Sequence, residues 1–301
     1  MSPTFTLRSP VRAAWAFTAL IALLVLSLLL SGCAAESAPK PAASPSAAPK
    51  TTSEAPPQET AAPTPAPPKL SQAELDSRLR GASWANDVEA AKSLIAQGAN
   101  VNAKDSTVQS AYLIATSEGY TEFLRLTLAH GANVKDLDTW NGTGLIRAAE
   151  RGHWAVEGEL IRAGVPLDHV NRVGYQAIHE VVWFGRDDAT YRAAIRVLAA
   201  GGVQLDRPSV TEGLTPLQMA ESKGYASSAG VLRAILQAPV PKDPKAALLA
   251  AAESGNPNAV TVALRAKADP RSTAADGRTA LQLAEAGGHF ESAQVLRALG
   301  G

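Results

Sequence analysis

Residues 213–224 read Gly213-Leu214-Thr215-Pro216-Leu217-Gln218-Met219-Ala220-Glu221-Ser222-Lys223-Gly224. Each part of this stretch has a mechanical reading. Glycine at 213 accepts a turn with positive φ at no steric cost. Thr215 caps a helix through its hydroxyl, and Pro216 suits the first helical position, where its missing N–H is no loss. Leu217 and Ala220 fall three apart on one face of that helix, and the small Ala220 lets a second helix approach. Gly224 then ends the helix in the left-handed conformation.

The pattern recurs along the chain. A small residue stands at Ala82, Ala115, Ala148, Val181, Ala220, Ala251 and Ala284, at intervals of 33, 33, 33, 39, 31 and 33 residues. The stop position keeps step at Asn86, Gly119, Gly152, Gly185, Gly224, Gly255 and Gly288. Two markers in register through seven units are the sign of a repeat protein. The stretch 213–224 resembles the first-helix signature of the ankyrin repeat family. Gly98-Ala99-Asn100-Val101-Asn102, Ala129-His130-Gly131-Ala132-Asn133-Val134 and Arg162-Ala163-Gly164-Val165-Pro166-Leu167 resemble the family's turn into its finger loop.

The resemblance covers roughly residues 70–301. It implies an all-α fold, an α-solenoid of about seven ankyrin repeats, each a helix-turn-helix with a finger loop. The repeats run approximately 71–104, 105–137, 138–170, 171–209, 210–242, 243–273 and 274–301. Repeat 1 lacks the Thr-Pro-Leu signature and reads as a capping unit, with Trp84 near the end of its first helix. Repeat 4 carries extra residues at Arg186–Tyr191, and insertions in repeat proteins map to loops. Repeat 5 ends in Ala238-Pro239-Val240-Pro241, which breaks the finger pattern, and repeat 6 is the most degenerate at its start. The seven units are expected to form one stack, each burying its face against its neighbours.

The N-terminal part is not core-forming. Arg8 and Arg12 precede an apolar run from Ala13 to Leu30, followed by Leu30-Ser31-Gly32-Cys33. That order of charge, apolar run and small residues reads as an export signal over 1–32. A plain membrane-spanning anchor is the alternative, since about 18 apolar residues just span a bilayer. Leu30-Ser31-Gly32-Cys33 resembles the bacterial lipobox, which implies lipidation of Cys33, the one cysteine of the chain, and cleavage before it. Residues 33–69 then form a lipidated start and a Pro/Ala-rich linker. Ten of the 20 prolines lie there, with no aromatic or large aliphatic residue to build a core. Extended polyproline chain would let these 36 residues after Cys33 reach roughly 110 Å from a membrane.

Composition and motifs narrow the function classes. The chain has 28 basic and 28 acidic residues. No basic face stands out, which speaks against nucleic acid as a partner. The five histidines show no metal-ligand spacing, and His179-Glu180-Val181-Val182-Trp183 has Trp183 where a zinc site needs its second histidine. Asp187-Asp188 is a weak ligand set. There is no nucleophile elbow and no phosphate loop. No catalytic residue, metal or cofactor is therefore expected.

The resemblance implies a monomeric, non-catalytic binder of a protein of the cell envelope. It would be lipid-anchored on the extracytoplasmic face, in the outer membrane or periplasm if the cell has two membranes. A structural spacer, or an inhibitor or chaperone of an envelope enzyme, is the alternative. Binders of the family contact partners beside the finger turn and just before the helix stop. In repeat 3 those positions include Trp140 and Arg151; in repeat 4 they hold Arg172, Val173, Tyr175, Trp183 and Phe184. Repeats 2 and 5 offer mostly Ser, Thr, Gln and Glu there. The aromatic and arginine side chains that dominate interface energy thus gather on repeats 3 and 4.

Overall fold

A computed structural model describes residues 69–301. The expected signal (1–32), Cys33 and the linker up to residue 68 lie outside the described residues. Those described form fourteen α-helices in seven pairs: α1 (Gln72–Trp84) with α2 (Val88–Ala96), α3 (Ala111–Glu118) with α4 (Thr121–Ala129), and α5 (Gly144–Glu150) with α6 (Trp154–Arg162). Then come α7 (Ala177–Trp183) with α8 (Ala189–Gly201), α9 (Pro216–Ser222) with α10 (Ala226–Gln237), α11 (Pro244–Ser254) with α12 (Pro257–Arg265), and α13 (Ala280–Ala286) with α14 (Phe290–Ala298).

Local chemistry sets the helix ends. Thr143, Thr215 and Thr279 sit in extended backbone and accept from the amide three residues on, and Gln218 and Gln282 close capping boxes with their threonines. Gly119, Gly152, Gly224, Gly255 and Gly288 all have positive φ, and Asn86 takes the same conformation in repeat 1. Gly185 does not. It is needed for room instead: a Cβ there would lie 2.0 Å from the Val181 carbonyl and 2.5 Å from the Tyr191 ring. All seven marker residues, from Ala82 to Ala284, are buried.

The first helices α1, α3, α5, α7 and α9 stack side by side, and the second helices form an outer layer behind them. Backbone hydrogen bonds stitch the finger loops together, Arg172 N–H to Trp140 O at 2.8 Å and Val210 N–H to Gly174 O at 3.0 Å.

The single continuous stack does not hold. α9 and α11 are not neighbours; α12 packs on α8, and α14 packs on both α6 and α8. The chain turns back after α10 and lays repeats 6 and 7 across the outer helices of repeats 3 and 4. Pro239 pushes Ala238 into extended backbone, and the two prolines donate no amide for a finger hairpin. The back-to-back contact is close: a Cβ on Gly158 would lie 2.2 Å from Ala298 O. Arg265 Nη1 donates to Ala199 O in the last turn of α8 at 2.9 Å and to Val203 O just past the helix at 2.8 Å. Arg196 Nε donates to Asn258 Oδ1 at 2.8 Å, and its Nη1 lies 3.4 Å from Glu291. Every residue from Ala193 to Ala200 is buried, as a helix packed on all sides requires.

The insertion in repeat 4 has a structural use. Asp188 caps α8 through the Tyr191 amide. Asp187 accepts from the amides of Ser227 and Ser228 at 2.9 and 2.7 Å, capping α10 from a neighbouring repeat where Tyr225 offers no side-chain cap.

Candidate partner-binding face

The fingers of repeats 3 and 4 are built on one device. Asp138 Oδ1 accepts from the amides of Trp140 and Gly142, both at 2.8 Å. Asn171 Oδ1 accepts from Val173 at 3.1 Å and Tyr175 at 2.9 Å. Each carboxylate or amide thus ties a turn to its own backbone. Behind the fingers, Arg147 Nε lies 3.3 Å from Asp138 and its Nη1 2.7 Å from Glu150. Asn171 Nδ2 donates to Glu180 Oε1. These groups and Trp140, Ile146, Val173 and Phe184 line a pocket of about 170 Å³. Trp140 is 56% and Phe184 43% exposed, whereas Glu180 is 3% exposed. Burial, aided by the nearby Glu150, raises the Glu180 carboxyl from its ordinary 4.5 to about 7, against the Asn171 hydrogen bond and the charge of Arg147.

The histidines serve the scaffold. His179 Nδ1 accepts from the Gln176 amide at 3.2 Å and its Nε2 donates to Arg207 O at 3.0 Å, which fixes the tautomer. Ring nitrogens of His130, His153, His169 and His289 likewise meet backbone carbonyls, of Leu126, Ser117, Asn141 and Glu253. Among the described residues no group of three His, Cys, Asp or Glu is placed to hold a metal ion.

No family model matches the chain. It is similar to the "Putative ankyrin repeat protein YahD" of Escherichia coli (strain K12), 26% identical over 154 residues that cover 50% of this chain and 75% of that one. It is also similar to the chicken (Gallus gallus) nuclear factor NF-kappa-B p105 subunit, 30% identical over 154 residues, 48% of this chain and 15% of that protein. Among solved structures, an ankyrin repeat domain from Acinetobacter baumannii AYE is 41% identical, covering 52% of this chain and 79% of that chain, with a TM-score of 0.49. The seven helix pairs with their caps and stops in register, together with the likeness to the Escherichia coli protein, support an ankyrin repeat family. A second solved ankyrin repeat protein is 32% identical, covering 52% of this chain and 78% of that one, also at a TM-score of 0.49. The ankyrin fold is one that mediates protein–protein interaction.

Set against the ankyrin pattern of contact positions, the seven expected residues divide. Trp140, Arg151, Arg172 and Phe184 are exposed, and Val173 and Trp183 are half-buried. Tyr175 is a correction. It is 1% exposed, its ring stacked on His179 at 6.0 Å and tilted against Trp183 at 5.9 Å, so it belongs to the core. Lys223 covers Trp183, with Nζ 5.1 Å from the ring centre. Arg151 bridges back to repeat 2, donating to Ser117 O at 2.7 Å and pairing with Glu118. The pocket brings together Trp140, Val173 and Phe184, and leaves Arg151, Arg172 and Trp183 outside.

Asp138, Arg147 and Glu180 were not singled out from the sequence as site residues. The ankyrin register held a signal for two of them. The position just before the marker residue is Ile114 in repeat 2, Met219 in repeat 5 and Leu283 in repeat 7, all buried. In repeats 3 and 4 it is Arg147 and Glu180. Charged residues where three other repeats bury an apolar one mark this place in the stack.

Proposed function

We propose that the chain is a lipid-anchored protein of the cell envelope that holds another protein on the front face of its ankyrin repeats, around Trp140 and Phe184, and catalyses no reaction. One observation carries the binding reading: two large aromatic side chains stand exposed on adjacent repeats around a charged pocket. Buried Trp anchors ringed by polar groups are the usual centres of interface energy. Leu30-Ser31-Gly32-Cys33 and the Pro-rich segment behind it support the anchor and a tether on the extracytoplasmic side.

The test pairs capture with melting. Wild-type protein and the double variant Trp140→Ala, Phe184→Ala are used as bait on a membrane fraction. Loss of the captured partner with unchanged melting supports the face; a partner held equally well by both rejects it. For the anchor, a fatty-acid analogue should label the wild type and not Cys33→Ala. A labelled Cys33→Ala variant would show that the lipid, if any, sits elsewhere.

A further inference from the structure

The pocket between the fingers of repeats 3 and 4 holds more negative charge than its walls neutralise. Asp138, Glu150 and Glu180 line it with a single cation, Arg147. Arg147 is engaged by the first two, at 3.3 and 2.7 Å. Glu180 is left over. Its Oε1 accepts from Asn171, while its Oε2 is buried with no hydrogen-bond partner. When ionised, Glu180 has acceptor sites only, so what completes that form is a donor, and a charged donor interacts about twice as strongly as a neutral one.

The other walls select among donors. Trp140 and Phe184 expose their rings beside the acidic groups, and aromatic faces attract cations. At about 170 Å³ the pocket is smaller than the roughly 300–1,000 Å³ of small-molecule sites, and has the size for the head of one side chain. An acidic residue would meet repulsion there, and an apolar one would leave Glu180 unpaired.

We propose that this pocket is a socket for one basic side chain of the protein partner, a lysine ammonium or arginine guanidinium held between Trp140 and Phe184 with Glu180 as its counter-charge. The proposal rests on the partner-binding reading above and names the chemistry of that partner's anchor residue. Glu150, Asp138 and Arg147 face the same carboxylate, the first two opposing its ionisation and Arg147 favouring it. An arriving cation holds Glu180 ionised and releases its proton, so binding tightens as the pH rises through about 7.

The test uses the full chain in detergent micelles, labelled with 5-fluorotryptophan. The sequence contains five tryptophans, and Trp140→Phe assigns the Trp140 resonance. The probes are the N-acetyl, N-methylamide derivatives of lysine, arginine and the uncharged norleucine. Expected is a saturable shift of the Trp140 resonance with lysine or arginine and none with norleucine at the same concentration. Glu180→Gln should weaken the cationic probe about tenfold or more while melting like the parent or higher, since it removes a buried charge. Wild-type affinity should fall as the pH drops below about 7, approaching tenfold per unit, and Glu180→Gln should lose that dependence. Equal shifts with norleucine, no shift with any probe, or an unchanged Glu180→Gln overturns the socket. The wider reading is judged separately: a partner lost with the Trp140, Phe184 double variant but kept by Glu180→Gln retains the binding face and discards the basic anchor.

Discussion

Glu180 in α7 and Glu157 in α6 are both buried carboxyl groups with unmet oxygens, one on the front of repeat 4 and one in the helix that backs repeat 3. Their surroundings differ. Glu180 has a donor in Asn171, lies within the influence of Arg147, and borders an open pocket, so it titrates near 7. Glu157 has no partner for either oxygen, and burial alone lifts it well above the ordinary carboxylate range. The first is poised, ready to be ionised by a cation that enters. The second is shut in as a neutral acid beneath a layer of packed helices. The difference teaches that the two faces of the same repeats do opposite work: the front sets a carboxyl in the wall of a pocket, and the back closes.

The largest effect should come from mistaking inside for outside on the front. Tyr175→Ala removes a fully buried ring and should cost about 3–5 kcal/mol in denaturant unfolding. A loss below 1 kcal/mol would put Tyr175 back among the surface residues. Next is the back. Gly158→Val places a side chain where the Ala298 carbonyl already lies 2.2 Å from a Cβ position, and should cost roughly 1–3 kcal/mol. Proteolysis in the 238–243 turn should rise with it, and a variant that melts and resists cleavage like the parent would mean that α14 does not rest on α6.

A pH experiment on Glu157 sharpens the contrast. Above about pH 4.5 the unfolded chain releases this proton while the folded chain keeps it, so the wild type loses stability as pH rises, at up to about 1.4 kcal/mol per unit. Glu157→Gln removes that slope. Its advantage should be absent near pH 4 and grow toward neutrality; parallel stability curves for the two proteins would contradict a closed back. The smallest effect is expected at Phe184→Ala, within about 0.5 kcal/mol of the parent, because the ring is 43% exposed. A large destabilisation would make Phe184 part of the core rather than of the face.

Much of this was readable from residues 213–224 and their echoes. Caps, stops and marker positions are local, and each has a residue type that suits it: threonine with glutamine three on, glycine or asparagine at positive φ, a small side chain at the helix contact. What escaped was long-range. Pro239 and Pro241 read as a spoiled finger, and nothing nearby says where the chain goes next. The answer lay in α8, where the buried run from Ala193 to Ala200 carries one polar residue, Arg196, and in Gly158, a glycine inside a nine-residue helix. Both are signs of a second layer, visible only when an outer helix is compared with α4, which buries three residues, Phe123, Leu124 and Thr127. Tyr175 misled because position beside the finger turn does not fix rotamer; stacking with His179 and Trp183 draws the ring inward. Glu180 escaped because its neighbour His179 carries the family's motif and its own value depends on Asp138, Arg147 and Glu150, which lie in another repeat.

A stack whose units touch only their neighbours bends like a leaf spring. Here the leaves that carry Trp140 and Phe184 are clamped from behind, because α12 and α14 lie across α6 and α8. The clamp joins residues as far apart in sequence as Gly158 and Ala298. Flexing of repeats 3 and 4 must therefore drag the end of the chain along with it. A surface held stiff before its partner arrives has less motion to surrender on contact, and more of the contact energy remains as affinity.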